Sequence, residues 1–307
     1  MKRMIALALC LSLAVSLAAC GKKKEPAPAP TLPGLILNPE PTSAPTEIPT
    51  EPAPSLPAVD LVPSEECSFT VTGTELNEHL GLQIHVLCEN SSDRPLMFSW
   101  NNVSVCGFMY DPLWAVEVAP GKKANSTIGI DTYALEKIGI NSVEEISFTL
   151  TVRDSEEFME PPIVEEDYSL YPTGKNADTV KLPQYRHRED ETVIVDNEDL
   201  TFIIYEVDDE LADYYTLHCY AANRTGTDIL LFWEDVSVNG FMVNPYWSVN
   251  IADGKQAYSE IIFFRTELEK QDIEVVQDIE FRLQASDHND WSADYLFDEV
   301  FSFKPNH

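Results

Sequence analysis

Basic residues are scarce in this chain: 20 lysines and arginines stand against 52 aspartates and glutamates in 307 residues, a formal net charge of −32. Such a field repels the phosphates of nucleic acids, so the composition excludes nucleic acid as a partner. The acidic residues are scattered rather than gathered in a tail. We interpret them as a solubilising surface, with a cationic partner or calcium as the alternative.

Cysteine is also scarce, and no Cys-x-x-C pair occurs among the six cysteines, which excludes a zinc ribbon or a thioredoxin-type site. Four cysteines lie in the body of the chain: Cys67, Cys88, Cys106 and Cys219. If the segments that contain Cys67 and Cys88 pair as a hairpin, the two side chains could oppose each other. Either a disulfide or two buried thiols would fit that arrangement.

Signatures of catalysis are missing as well. The sequence has no P-loop, no G-x-G-x-x-G and no serine in a nucleophile elbow. The acidic stretch at 287–294, DHNDWSAD, lacks the glycine and the terminal glutamate of a calcium loop. We therefore predict no catalytic residue, no cofactor and no metal ion.

One stretch of the chain occurs twice. Residues 100–122 read WNNVSVCGFMYDPLWAVEVAPGK, and residues 233–255 read WEDVSVNGFMVNPYWSVNIADGK. The offset of 133 positions holds without a gap from Phe69 and Phe202 to Pro172 and Pro305, and 31 of the 104 paired positions are identical. A match of this length indicates that one folding unit has been duplicated.

Each copy shows the alternation of apolar and polar residues that is typical of strands, as in Leu82, Ile84 and Val86. Polar corners such as Asn90-Ser-Ser-Asp separate the runs, and the only helical signals are short, at 134–138 and 267–271. The pattern predicts an all-β chain with two tandem antiparallel β-sandwich domains. Repeat 1 spans 59–172 and repeat 2 spans 192–307, joined by a moderately flexible connector at 173–191.

The first 19 residues have the form of an export signal, with Lys2 and Arg3 before a short apolar run. The run ends in Leu-Ala-Ala-Cys, which closely resembles the lipobox of bacterial lipoproteins. That resemblance implies cleavage before Cys20, acylation of Cys20, and attachment to the membrane through the lipid. Residues 20–58 follow as a proline-rich linker, which we interpret as an extended spacer, with peptide recognition by its prolines as the alternative.

Short motifs recur in the same order in both repeats, and repeat 2 carries them most fully, in Val195-Asp196-Asn197 and in the run VNGFM at 238–242. Repeat 1 departs from the pattern at Cys106, where repeat 2 has asparagine. This order resembles the immunoglobulin-like repeats of surface lipoproteins from Gram-positive gut bacteria. The resemblance implies an immunoglobulin-like fold and a location on the extracytoplasmic face of the cell membrane, but no shared activity.

Aromatic side chains are the best candidates for binding. The tryptophans Trp100, Trp114, Trp233 and Trp247 are in phase with core-facing neighbours, so we assign them to the core. The Gly-Phe-Met corners break the alternation, which favours a bulge or turn that exposes an apolar side chain. The candidate binding residues are Phe108, Met109, Phe241, Met242 and Tyr246.

The sequence thus favours a lipid-anchored extracytoplasmic protein that presents two immunoglobulin-like domains to a protein, peptide or glycan, without catalysis. The alternative is a structural or accessory subunit that docks on an envelope protein complex through its sheet edges. An enzyme is the least supported reading, since no nucleophile, metal set or cofactor loop is present.

The lipid anchor gives the first testable prediction. Mass spectrometry of the mature protein from membranes should find Cys20 as the first residue, carrying acyl chains, because the lipobox directs cleavage and acylation to that position. An unacylated N-terminus would contradict the anchor.

Overall fold

Strands make up almost all of the regular structure, as the alternation predicts. The computed structural model describes residues 56, 58–61, 64–290 and 292–305. The signal peptide, Cys20 and most of the proline-rich linker lie outside the described residues. Both repeats belong to one compact unit, Glu51–His307.

The two repeats contain the same elements in the same order. Repeat 1 consists of β1 (Val59–Leu61), β2 (Cys67–Asn77), β3 (Gly81–Asn90), β4 (Leu96–Val105), β5 (Phe108–Met109), β6 (Ala115–Val118), β7 (Lys123–Ile130), α1 (Thr132–Lys137), β8 (Ile146–Asp154) and β9 (Val164–Leu170). Repeat 2 consists of β10 (Thr192–Asp196), β11 (Leu200–Asp208), β12 (Tyr214–Asn223), β13 (Ile229–Val238), β14 (Phe241–Met242), β15 (Ser248–Ile251), β16 (Gln256–Phe264), α2 (Arg265–Glu269), β17 (Ile279–Asp287) and β18 (Phe297–Phe303). Every element of repeat 2 begins 133 residues after its counterpart, so the duplication holds at the level of structure.

Each repeat folds as two antiparallel sheets. In repeat 1 the strands β1-β2-β3-β7 form one sheet, and β9-β8-β4 with β5 and β6 form the other; repeat 2 has β10-β11-β12-β16 and β18-β17-β13 with β14 and β15. The apolar side of each alternating strand faces the space between the sheets, which gives each repeat its own core. Within the described residues, no helix combines the length and the apolar character needed to cross a bilayer.

A stacked pair of rings lies in each core. Trp100 stacks on Phe148 and Trp233 stacks on Phe281, in both cases with ring centroids 3.7 Å apart. The other repeated tryptophans, Trp114 and Trp247, are half-buried, and their indole N–H groups donate to the serine hydroxyls that match in the two repeats, Ser126 and Ser259. The same side chains therefore stabilise both copies.

A buried asparagine fixes the corner after β3 and after β12. The Asn90 amide donates to the carbonyls of Arg94 and Val118, at 2.7 and 2.8 Å. Asn223 makes the equivalent pair of bonds to Thr227 and Ile251, both at 2.8 Å. Because these bonds satisfy carbonyls that would otherwise be buried unpaired, they explain why asparagine occupies both positions.

The Gly-Phe-Met corners are two-residue hairpin turns. Cys106 and Gly107 both have positive φ, at 52° and 84°, and Asn239 and Gly240 match them at 51° and 82°. Turns of this kind favour Asn-Gly, because both residues tolerate the left-handed region. Repeat 1 adopts the same turn with Cys106, a residue that seldom does so.

The two repeats meet where the corner of repeat 1 lies against β16 of repeat 2. The backbone N–H of Gln256 donates to the Gly107 carbonyl at 3.0 Å, and β5 pairs with β16 in parallel. Phe108 stacks on Tyr258, with centroids 5.2 Å apart and planes 12° apart. One sheet thus runs across the junction in the order β10-β11-β12-β16-β5-β4-β8-β9.

The C-terminal end of the connector is packed against this junction. Tyr185 stacks on Tyr220 at 4.0 Å, and its hydroxyl donates to Glu191 at 2.7 Å. The Arg188 guanidinium lies 4.3 Å from the ring centre of Tyr205. These contacts come from residues 185–191. The segment is polar in the sequence, but its Tyr185 ring lies against Tyr220 of repeat 2.

The junction predicts unequal effects of alanine substitution at Phe108 and at its counterpart Phe241. Phe108→Ala should lower the free energy of unfolding by about 3 kcal/mol, because a buried ring is lost between the repeats. The matched control Phe241→Ala should change it by no more than about 0.5 kcal/mol, because that ring is half exposed. Urea unfolding followed by circular dichroism measures both, and equal losses would contradict the junction.

Candidate functional site

The candidate binding residues fall into two groups. Phe108 is 2% exposed, and Met109 is half-buried against the core of repeat 2. Phe241, Met242 and Tyr246 are 49%, 63% and 73% exposed. The exposed ring expected at Phe108 is therefore not found, because repeat 2 covers that corner, whereas the described residues place nothing on the matching corner of repeat 2.

The cysteine pair does not have the expected register. Cys67 lies across from Asn90, and Cys88 lies across from Phe69, so the two cysteines are diagonal rather than opposed. Both are buried free thiols, as are Cys106 and Cys219. Burial raises the pKa of Cys88 to about 12 and also raises the pKa of the other three thiols. At neutral pH all four are protonated and poor nucleophiles.

The repeat-matched histidines lie on separate sheets. His85 bonds to the Thr127 hydroxyl at 3.1 Å, and His218 lies 3.4 Å from Glu260. In the part of the chain that the structure describes, no group of three or more His, Cys, Asp or Glu side chains could hold a metal ion.

One cavity lies between the two repeats, and we call it the inter-repeat groove. It has a volume of about 630 Å³. Repeat 1 contributes Trp100, Asn101, Asn102, Val103, Met109, Tyr110, Asp111, Thr149, Arg153 and Glu165, and repeat 2 contributes Ser248, Val249, Asn250, Ala257, Tyr258, His288 and Asn289. Binding sites often form at junctions of this kind, where two domains supply opposite walls.

Hydrogen bonds hold several groove side chains in place. The Tyr110 hydroxyl accepts from the Asp131 backbone N–H at 2.9 Å, and the Asn101 amide donates to the Thr151 hydroxyl at 2.8 Å. The Trp100 indole N–H is buried and has no hydrogen-bond partner among the described residues. The groove therefore offers fixed rings and amides, together with Arg153 and Glu165, to a polar ligand.

A second cavity of about 380 Å³ adjoins the groove and shares Asn102 and Thr149 with it. Here the Asn102 amide donates to Asp228 at 3.4 Å, and Lys255 reaches across the junction to the Ser147 hydroxyl at 2.9 Å. Lys255 also lies 3.7 Å from Glu145. These polar contacts bridge the repeats beside the groove and help to fix its width.

A third kind of cavity occurs once in each repeat, beside the short helix, and we call the two copies helix pocket 1 and helix pocket 2. Helix pocket 1 has a volume of about 210 Å³ and is lined by Thr74, Leu76, Leu82, Thr132, Glu136, Asn141, Ser142, Val143, Pro172 and Thr173. Helix pocket 2 has a volume of about 380 Å³ and is lined by Asp209, Tyr215, Arg265, Leu268, Glu269, Asp272, Ile273, Glu274 and Val276. The same site is thus mainly apolar in repeat 1 and charged in repeat 2.

Sequence reasoning missed all four cavities. The groove walls come from positions such as Asn101 and Asn250 that are far apart in the chain, and no local pattern links them. The helix pockets did leave a signal, since the repeat alignment shows charged residues in one copy where the other has none, as at Leu76 and Asp209.

Comparisons with known proteins show neither a family nor a function for this chain. No family model matches the chain, and no curated protein matches it. A crystal structure of the exo-chitosanase CsxA from Amycolatopsis orientalis aligns with a TM-score of 0.24 and 11% identity, over 76% of this chain and 26% of that one. The chain thus spans about a quarter of that protein, and so low a TM-score carries no argument.

Proposed function

We propose that this chain is a lipid-anchored bacterial protein that binds a polar ligand in the inter-repeat groove on the outer face of the cell membrane, without catalysis. The observation that carries the proposal is the groove itself, since two folded copies of one unit together form a cavity of about 630 Å³ whose walls come from both repeats. The ligand class is a peptide or a glycan, because rings and amides recognise both.

The pairing order of the strands supports the immunoglobulin-like part of the proposal. If β2, β3, β4, β7, β8 and β9 are taken as strands A, B, C, E, F and G, then one sheet has the order A-B-E and the other G-F-C, as in immunoglobulin-like domains. Repeat 2 has the same order through β11, β12, β13, β16, β17 and β18. In this assignment the short helices occupy the E-to-F connection.

The location is proposed from the sequence. Cys20 in its lipobox would carry the lipid, and residues 20–58 would hold the acidic body away from the membrane. At about 3.1 Å per residue, a proline-rich linker of this length reaches on the order of 120 Å when extended. An acidic body is repelled by anionic headgroups, so a long spacer suits this composition.

A second candidate function is docking on an envelope protein complex as an accessory subunit. The exposed side chains of Phe241, Met242 and Tyr246 favour it, because apolar residues of this size gathered near one corner are typical of a protein contact. That corner lies on repeat 2.

The groove proposal predicts a saturable change in tryptophan fluorescence when the protein is titrated with its ligand, because Trp100 lines the groove. A panel of cell-wall peptides and glycans supplies the ligands. The double variant Asn250→Ala, Asn289→Ala should weaken the response by about tenfold, because it removes two exposed amides from one wall.

The matched control is Asn125→Ala, which removes an exposed amide from β7, outside the groove. It should leave the affinity unchanged. Flat titrations across the panel, or equal losses in the control and the double variant, would contradict the groove proposal, and flat titrations would favour the docking function.

A further inference from the structure

Helix pocket 2 differs from helix pocket 1 in a way that the fold does not require. Five positions in and after the short helix are identical in the two repeats: Leu135 and Leu268, Glu136 and Glu269, Lys137 and Lys270, Ile140 and Ile273, and Val143 and Val276. The three apolar pairs among them are buried in both copies. These residues are therefore sufficient to seat the helix on the sandwich.

Five other positions change in the same direction. Repeat 1 has Leu76, Leu82, Thr132, Gly139 and Asn141 where repeat 2 has Asp209, Tyr215, Arg265, Asp272 and Glu274. Repeat 1 forms the same strands and helix with no charge at any of these positions. The fold therefore does not require the charges of repeat 2.

The charge of helix pocket 2 is unbalanced. Arg265 is already engaged, since it lies 2.6 Å from the Asp209 carboxylate and donates to the Leu211 carbonyl at 2.8 Å. The carboxylates of Glu269, Asp272 and Glu274 form no ion pair with any described residue. Three negative charges thus lie at the rim of one cavity without compensation.

Tyr215 supplies a second, independent feature. It lines the pocket, is 2% exposed, and its hydroxyl has no hydrogen-bond partner among the described residues. Burial and the nearby Asp209 carboxylate raise its pKa, so the hydroxyl keeps its proton at neutral pH. A buried hydroxyl without a partner is unfavourable, and leucine fills this position in repeat 1 without that penalty.

We propose that helix pocket 2 binds a small organic cation, a protonated primary amine with an apolar stem. The ammonium group faces Glu269, Asp272 and Glu274, and the stem lies on the apolar floor of Leu268, Ile273 and Val276. The Tyr215 hydroxyl oxygen accepts a hydrogen bond from an amine N–H of the ligand. This site is separate from the inter-repeat groove, so a result that contradicts the groove proposal would leave this proposal unaffected.

An organic cation fits better than an inorganic one. The described residues contain no group of three or more side chains arranged to hold a metal ion, whereas the cavity of about 380 Å³ has the size of a small-ligand site. A hydrated metal ion would gain nothing from contact with the apolar floor, whereas the methylene groups of an alkylamine would be buried against it.

Calorimetric titration of the full chain at about 0.15 M salt tests the proposal, since screening then suppresses diffuse attraction to the acidic surface. The probe is 1,5-diaminopentane, with 1,5-pentanediol as its neutral match and calcium chloride as the inorganic cation. The expected result is saturable binding of one diamine per chain and no binding of the diol. Preferential binding of calcium, or equal binding of diol and diamine, would overturn the proposal.

The variants locate the site. Tyr215→Phe should weaken diamine binding by about threefold to tenfold, the usual effect of one hydrogen bond. The triple variant Glu269→Gln, Asp272→Asn, Glu274→Gln should weaken it by about tenfold or more. The matched control Glu136→Gln alters the counterpart of Glu269 in repeat 1 and should have no effect. Equal effects of Glu136→Gln and Glu269→Gln would overturn the assignment to helix pocket 2, and unchanged melting temperatures show that the variants fold.

Discussion

The contact between the first Gly-Phe-Met corner and β16 determines the form of this molecule. The Gly107 carbonyl accepts from the Gln256 N–H, and Phe108 lies on Tyr258. A backbone bond fixes the register of β5 against β16, and a buried ring supplies the apolar area that holds it. Together with the polar contacts that Asn102 and Lys255 make between the repeats, this contact holds the two walls of the inter-repeat groove together.

The corner of repeat 1 makes this contact and the corner of repeat 2 does not, because the two repeats carry different side chains on the outer face of their first sheets. Repeat 2 presents Tyr205, Tyr220 and Tyr258 there, and the connector adds Tyr185. Repeat 1 has Thr72, Leu87 and Asn125 at the matching positions. The matching face of repeat 1 therefore lacks the aromatic surface that repeat 2 offers to Phe108.

Much of the fold follows from the sequence, because strand alternation and turn chemistry are local. The period of two at Leu82, Ile84 and Val86 predicts β3, and the 133-residue offset predicts that repeat 2 has the same elements. The exposure of the corners could not be predicted, since Phe108 and Phe241 stand in the same Val-Ser-Val-x-Gly-Phe-Met motif and their exposure depends on what lies against them. The position of Cys67 relative to Cys88 depends on the register in which β2 pairs with β3. Alternation does not fix this register, because a shift of two residues leaves the same side chains on the core face.

Duplication also separates what the fold needs from what it does not. Positions that satisfy buried groups or fill the core are the same in both copies, as with Asn90 and Asn223 or Trp100 and Trp233. Positions that differ in charge, such as Leu76 and Asp209, are free to change because the other copy shows that the sandwich forms without them. On this reasoning we propose that the groove and helix pocket 2 are where the two repeats acquired separate roles.

Amide hydrogen exchange at Gln256 tests the junction most directly. The Gln256 N–H should exchange nearly as slowly as the interior of β16, because it is bonded across the junction to Gly107. Lys123, its counterpart on the edge strand β7, should exchange much faster, because the sheet order places no strand beyond β7. Equal, fast exchange at Gln256 and Lys123 would contradict the account, because it would show that the two repeats do not share a sheet.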